Sequence, residues 1–129
     1  MNALGFLNPP DIKVRYRFLS AEEGGGKLYV PFQGLKRDWA YVGDDINKTG
    51  IYMIWAEFED GDGQPLPVGS LVPLQGTARM YIASDELWQQ INRKRIRIGT
   101  KGFFMEGARK IAEAEVISII NLHYDRERL

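Results

Sequence analysis

The densest group of potentially functional side chains is the basic run 93–97, whose sequence is Arg-Lys-Arg-Ile-Arg, followed closely by Lys101. In an alternating strand, Arg95 and Arg97 would share one face, where their guanidinium groups could bind phosphate. Three aromatic side chains could offer stacking surfaces to bases if they are exposed: Trp39, Tyr41 and Trp88. The commoner origin of such a run is a solvated strand face whose charges prevent edge-to-edge aggregation.

Two further motifs suggest chemistry that their surroundings do not support. Segment 24–27 (Gly-Gly-Gly-Lys) resembles part of a phosphate-binding loop, but Leu28 stands where that motif needs Ser or Thr. Segment 60–63 (Asp-Gly-Asp-Gly), with Glu57 and Glu59 nearby, offers oxygen ligands to a hard cation but lacks the EF-hand spacing. We therefore predict a structural turn at the first motif and a hairpin tip at the second.

The sequence contains no recognisable catalytic constellation. It has no cysteine and one histidine, His123, which leaves no thiolate nucleophile, no cysteine-ligated metal and no evident Ser-His-Asp triad. Adjacent carboxylates such as Asp44 and Asp45 are of a kind common on solvent-exposed faces. We expect a protein that is not an enzyme and that has no metal site and no small-molecule cofactor.

Length and composition predict one folded domain with no strong overall charge. The 129 residues are 44% hydrophobic and 12% aromatic, as in globular proteins. Seventeen basic residues balance seventeen acidic ones, so no global field attracts nucleic acid or an anionic membrane. The start of the chain lacks a signal-peptide pattern, and no window approaches the roughly 20 apolar residues that span a bilayer. We expect a cytoplasmic protein without a membrane partner.

The elements that must position these residues are mostly strands. A period of two over residues 12–18 predicts a strand with one wet face. Further β-like runs follow along the chain: 28–30, 39–42, 51–58, 77–82, 95–98, 103–106 and 111–122, with the last two flanking a turn at Gly107. Ser84 is suited to cap one short helix. Short strands with spaced turns predict an all-β barrel or sandwich.

Two glycine-centred segments resemble the C-terminal β-barrel of elongation factor Tu, the translation GTPase that delivers aminoacyl-tRNA. Segment 23–25 (Glu-Gly-Gly) matches the family's acidic residue and paired glycines, and segment 34–39 follows its glycine–aromatic–Arg-Pro–Gln–aromatic turn in outline. Segment 105–109 (Met-Glu-Gly-Ala-Arg) keeps three residues of the family's Arg-Glu-Gly-Gly-Arg. The resemblance implies a single closed antiparallel barrel of about six strands with one short inserted helix.

With this resemblance, the chain divides into three parts. We expect a flexible N-terminal arm at residues 1–11, the β-barrel domain at 12–122 and a charged C-terminal tail at 123–129. The GTPase portion of the family is missing from this sequence. Three residues differ from the family where its barrel approaches tRNA. Asp38 introduces a carboxylate, Met105 an apolar side chain, and Ala108 a methyl group in place of glycine. We therefore do not expect the family's mode of tRNA binding.

The resemblance implies a non-catalytic binding module, because the family's barrel works by docking against other domains and factors. We expect it to recognise a protein partner, as an accessory factor or as an immunity or inhibitor protein. The predicted partner-binding residues are cationic and aromatic anchors of the kind that interfaces favour: Lys36, Arg37, Trp39, Trp88, Arg95, Arg97 and Arg109. The alternative is a protein that binds structured RNA (tRNA or rRNA) through residues 93–97 and Arg109, with an affinity that falls steeply with salt.

Overall fold

Alternating burial along the strands produces a six-stranded antiparallel sheet in the computed structural model, which describes residues 4–6, 8–25 and 31–124. The strands are β1 (Ile12–Phe18), β2 (Asp38–Tyr41), β3 (Ile54–Phe58), β4 (Gln75–Ile82), β5 (Lys101–Glu106) and β6 (Arg109–Ile119). Their order across the sheet is β2-β5-β6-β1-β4-β3, and every neighbouring pair is antiparallel. The prediction of a mostly β fold with antiparallel strands is confirmed.

The sheet is an open half-barrel, so the prediction of a closed barrel is wrong. Its edge strands, β2 and β3, approach each other at an isolated bridge between Trp39 and Tyr52, whose backbones exchange two hydrogen bonds of 2.8 Å. Farther along β3, the free edge at Phe58 binds the side-chain amide of Gln33 instead of another strand. Closure fails there because a side chain occupies the backbone groups that a closing strand would need.

Two helical segments interrupt the strands. Helix α1 (Ile46–Thr49) follows β2 and is capped by Asp45, whose carboxylate accepts a 3.0 Å hydrogen bond from the backbone of Asn47. The second segment follows β4 and consists of α2 (Asp85–Leu87), a π-helical turn (Trp88–Asn92) and α3 (Arg93–Arg95). Its predicted N-cap is confirmed, because the Ser84 hydroxyl accepts a 3.2 Å hydrogen bond from the backbone of Leu87.

The predicted strand at 95–98 is wrong. The helical segment continues through Arg95, and the chain then turns at residues 97–100 before β5 begins. The Arg97 backbone donates to the Thr100 hydroxyl at 2.9 Å, which fixes this turn. The apolar-basic alternation of 95–98 therefore reflects one buried side chain, Ile96, between exposed neighbours rather than a strand.

The core lies on the inner face of the half-barrel and is rich in aromatic rings. Ile12, Val14 and Tyr16 of β1 are buried on this face, as the period of two predicts. The Tyr16 ring meets the ring of Phe58 edge-on at 5.0 Å between centroids, and Phe104 lies within 6.1 Å of both. Edge-to-face contacts of this kind add to the stabilisation from burial.

The N-terminal arm is packed against the outer face of the sheet where the structure describes it. Leu4 is buried, and the ring of Phe6 stacks on Tyr81 at 5.3 Å and contacts Trp55 at 5.7 Å. Asp11 accepts a 2.8 Å hydrogen bond from the backbone of Ile82. These residues differ from the loose arm that the sequence predicts. The predicted β run at 28–30 and residues 125–129 of the charged tail lie outside the described residues.

Candidate functional site

Six of the seven predicted partner-binding residues fall into two groups at opposite ends of the sheet, and the seventh, Trp39, lies in the core. The hairpin between β5 and β6 marks one end, where Glu106 pairs with Arg109 and Asp38 pairs with Met105. This end, which we call the loop end, holds Lys36, Arg37 and Arg109. The turn that precedes Lys101 marks the other end, which holds Trp88, Arg95 and Arg97. Because β5 is six residues long, the two ends lie roughly 20 Å apart.

At the loop end, the cationic side chains are organised around the β5–β6 hairpin. Its two-residue turn is Gly107-Ala108, and Gly107 has the positive φ (57°) that such a turn requires. The Arg37 guanidinium lies 3.5 Å from the Glu106 carboxylate, and Lys36 lies with its ammonium 5.0 Å from the centre of the Trp55 ring. The predicted hairpin is confirmed. Its register places Arg109 opposite Glu106, which forms the ion pair with Arg37.

The loop end also carries an apolar surface that sequence reasoning missed. Phe32 and Leu71 form an isolated antiparallel bridge, and they are 43% and 70% exposed. Val68 and Leu74, on the same loop as Leu71, are likewise largely exposed. We call these four residues the apolar patch. The available signal was the Pro- and Gly-rich loop 65–74, whose apolar residues follow neither the strand nor the helical period.

The backbone beneath the apolar patch is held by hydrogen bonds. The Gln33 backbone donates to Ser70 at 2.8 Å and accepts from Gly69 at 3.0 Å, while Val72 donates to Pro31 at 2.9 Å. The buried Gln33 side chain adds bonds to the carbonyls of Phe58 and Leu66. Because this backbone is already fixed, a partner that covers the exposed side chains does not have to order the loop as well.

At the opposite end, the basic run does not form the phosphate-binding strand face that the sequence suggests. The Arg95 guanidinium makes two hydrogen bonds with the Asp44 carboxylate, one of them 2.9 Å long, and lies 4.0 Å above the Tyr41 ring. The bonds with Asp44 raise the pKa of Arg95 above its ordinary value. Asp44 therefore neutralises the charge of Arg95. Of the two predicted arginines of this run, Arg97 is exposed and has no side-chain partner in the described part of the chain.

Neither predicted tryptophan is placed to contact a partner directly. Trp39 is 0% exposed and belongs to the core. Trp88 is 5% exposed, its indole nitrogen donates to the Leu122 carbonyl at 3.0 Å, and Arg93 lies 4.6 Å over its ring. Both indoles therefore hold elements together, and burial removes them from the set of surface anchors.

The carboxylates near the 60–63 turn are used within the protein. Asp60 accepts hydrogen bonds from the backbones of Asp62 and Gln64, at 2.8 and 3.0 Å, and so closes the turn. The buried Glu59 carboxylate contacts Lys13 at 3.1 Å, Arg79 at 2.8 Å and the Thr77 hydroxyl at 2.8 Å. Among residues 4–6, 8–25 and 31–124, no three His, Cys, Asp or Glu side chains are grouped as metal ligands would be.

The segment predicted as a structural turn is described as far as Gly25. Residues 20–23 form a turn in which Ser20 and Glu23 bond to each other's backbones. The Glu23 carboxylate also accepts two hydrogen bonds from the Arg17 guanidinium, at 2.8 and 2.9 Å. These bonds lower the pKa of Glu23 to about 2. A side chain on Gly25 would overlap the Leu19 carbonyl, so glycine is required there by close backbone approach.

Comparison with known proteins adds no family to this picture. No protein-family model matches the chain, and a search of the curated proteins gives no significant match. In the described part of the chain, no helix has the length and apolar character needed to cross a bilayer.

Proposed function

We propose that this protein is a non-catalytic module that binds a protein partner through the loop end of its half-barrel. The observation that carries the proposal is the exposed Phe32–Leu71 pair, which a hydrogen-bonded backbone holds in place. Soluble proteins seldom expose grouped apolar side chains without use, and interface centres combine such groups with arginine at the rim. Arg37 and Arg109 supply cations at the same end of the sheet.

The resemblance to the elongation factor Tu barrel fits this proposal but does not identify the partner. That family's barrel works by docking, and the loop end of this chain contains both of the segments that carry the resemblance at 34–39 and 105–109. We propose that the protein acts on its partner either as an accessory factor or as an immunity or inhibitor protein. A cytoplasmic location is part of the same proposal.

RNA binding is the weaker alternative on physical grounds. It needs several unpaired cations on one surface, because phosphate contacts provide most of the affinity. Asp44 neutralises Arg95, and Arg109 lies at the opposite end of β5 from Arg97. The predicted RNA-binding residues therefore do not form one continuous basic face.

The test is affinity capture from a lysate of the protein's own source with three versions of the chain. The first is the wild type, the second carries Phe32→Ser with Leu71→Ser, and the control carries Ile98→Ser. Ile98 is 69% exposed but lies at the opposite end of the sheet. We expect a protein that is retained by the wild type and the control after RNase treatment, and that the double variant loses.

Two outcomes would contradict the proposal. Equal retention by the double variant would show that the apolar patch is not the contact surface, provided that circular dichroism finds the variant folded. Loss of all bound material on RNase treatment, with tRNA or rRNA recovered from the untreated half, would favour RNA binding instead.

A further inference from the structure

A groove of about 610 Å³ crosses the outer face of the sheet. It runs perpendicular to four strands, between two rows of side chains that the strand register aligns. One row is Thr77, Arg15, Glu115 and Lys101. The other row is Gln75, Arg17, Glu113 and Phe103. Its volume is that of a site for a small organic ligand, for which about 300–1,000 Å³ is usual.

The floor of the groove is backbone, because the residues between the two rows either are glycines or have side chains on the core side of the sheet. Gly76, Ala114 and Gly102 lie in this middle row together with Tyr16. A side chain on Gly102 would overlap the ring of Trp39, and one on Gly76 would lie 3.2 Å from the Tyr16 hydroxyl. Core packing therefore explains the small residues, while the outward rows give the groove its depth and chemistry.

The first row has more cations than carboxylates. Arg15 contacts Glu115 at 3.3 Å, and Lys101 stands opposite the same Glu115 in the β5–β6 register. Within the described residues, the Lys101 ammonium has no hydrogen-bond or ion-pair partner. The arginine of the second row is already engaged, since Arg17 bonds to Glu113 at 2.9 Å and to Glu23. An anion entering the groove is therefore attracted to Lys101.

The groove is apolar at the same end as Lys101. Val42, which is half exposed, and the ring of Phe103 line this end. Lys110 places a second ammonium 4.4 Å from the centre of the Phe103 ring. Exposed apolar surface beside unpaired positive charge matches a ligand that combines a ring or short chain with a single negative group.

We propose that this groove binds a small organic anion, with an apolar ring against Val42 and Phe103 and a carboxylate-like group at Lys101. This site contains none of the four residues of the apolar patch and does not depend on the proposed protein partner. The anion replaces the water around Lys101, and the ring covers the exposed carbon atoms of Val42. Arg17 and its two carboxylates form the rigid opposite wall.

The experiment is an NMR titration of the ¹⁵N-labelled full chain with 4-phenylbutyrate and with its neutral analogue, 4-phenylbutanamide. We expect saturable shifts of the backbone amides of Gly76, Gly102, Phe103 and Ala114. The acid should bind about fivefold more tightly than the amide, as one exposed ion pair provides. Lys101→Gln should remove this preference, whereas Lys94→Gln, on the exposed surface of α3, should keep it.

The proposal is overturned by any of three results. The first is a lack of saturation by about 10 mM acid, a range that covers even weak ligand sites. The second is a set of shifts centred on Phe32 and Leu71, because that would place the probe on the apolar patch. The third is an unchanged preference for the acid in Lys101→Gln. The amide spectra themselves report whether each variant is folded.

Discussion

At the scale of single residues, glycines in this sheet are set by large side chains on the neighbouring strands. Gly102 is the second residue of β5 and pairs with Ala114, although strand propensity alone disfavours glycine there. Its place is determined by Trp39 of β2, whose fully buried indole occupies the space that a Cβ would need. The indole and the missing side chain therefore form one packing unit, although 63 positions along the sequence separate them.

This packing predicts that Gly102→Ala is severely destabilising. The added methyl group must displace the Trp39 ring or the β5 backbone, and such overpacking costs about 3 kcal/mol of the free energy of unfolding. Gly61→Ala is the matched control, because a Cβ there meets no atom within 4 Å and the glycine lacks a positive φ. Urea denaturation of both variants tests the prediction. A loss below about 1 kcal/mol for Gly102→Ala would show that Trp39 can move aside.

At the scale of elements, the Gln33 side chain serves as a substitute strand along the edge of β3. Its amide oxygen accepts from the Phe58 backbone at 2.9 Å, while its nitrogen donates to the carbonyls of Phe58 and Leu66 at 2.9 and 3.0 Å. Two of these bonds, together with a 3.0 Å bond from the Leu66 backbone to the Phe58 carbonyl, satisfy the edge of β3, and the third ties Gln33 to the loop 65–74. The open side of the half-barrel is therefore closed at Phe58 by the Gln33 side chain and the Leu66 backbone rather than by pairing with β2.

We expect Gln33→Met to loosen the β3 edge. Methionine has a similar size but leaves the buried Phe58 amide without a partner, while the Phe58 carbonyl keeps its 3.0 Å bond from the Leu66 backbone, so the change costs about 2 kcal/mol of unfolding free energy. Hydrogen exchange at the Phe58 amide should accelerate along with this loss. Gln89→Met, on the exposed surface of the helical segment, is the control and should change neither quantity. Unchanged protection of the Phe58 amide in Gln33→Met would mean that another group seals the edge.

Local sequence pattern predicts the elements of this fold better than their arrangement. The alternation of residues 12–18, the turn at Gly107 and the cap at Ser84 are local features, and the structure confirms all three. The closed barrel and the strand at 95–98 depend on tertiary partners, and both predictions are wrong. The helical segment extends through Arg95 because Asp44 and Tyr41 fix that side chain, and no local pattern encodes this contact.

The candidate sites show the same division between residue type and location. Arginine and aromatic residues were predicted as anchors by their type, but the burial of Trp39 and Trp88 depends on which face of the sheet they occupy. The apolar patch arises because Phe32 and Leu71 form a bridge between two distant loops. The groove arises from the register of four strands. Neither the bridge between the two loops nor the register of the four strands can be predicted from a single sequence.

At the scale of the whole molecule, the equal numbers of acidic and basic residues reflect extensive pairing across strands. Arg15 and Arg17 of β1 face Glu115 and Glu113 of β6, while Lys13 and Arg79 enclose Glu59 on the other side of β1. These contacts join β1 to its neighbour β6, and Glu59, which follows β3, connects Lys13 of β1 with Arg79 of β4 on the outer face. Exposed pairs such as Arg15 with Glu115 contribute little individually, but Glu59 has a fully buried side chain and three partners.

These pairs predict that acid destabilises the fold through Glu59 and Glu23. Burial alone would raise the pKa of Glu59, but hydrogen bonds from Arg79, Thr77 and Lys13 outweigh it and lower the pKa below the ordinary 4.5. Arg17 lowers the pKa of Glu23 to about 2. A folded-state pKa below the unfolded value means that ionisation stabilises the fold. This contribution is complete above the unfolded pKa and is lost as the pH falls toward the folded one.

We therefore expect the free energy of unfolding to fall between about pH 5 and pH 2 in the wild type. Glu59→Gln should cost about 2 kcal/mol near pH 7, because it leaves Lys13 and Arg79 without their shared carboxylate, and its stability should depend less on pH in acid. Glu86→Gln, at an exposed position of α2, should follow the wild-type curve. Urea denaturation across this pH range separates the cases. If the Glu59→Gln curve runs parallel to that of the wild type, the carboxylate is not the group whose protonation weakens the sheet.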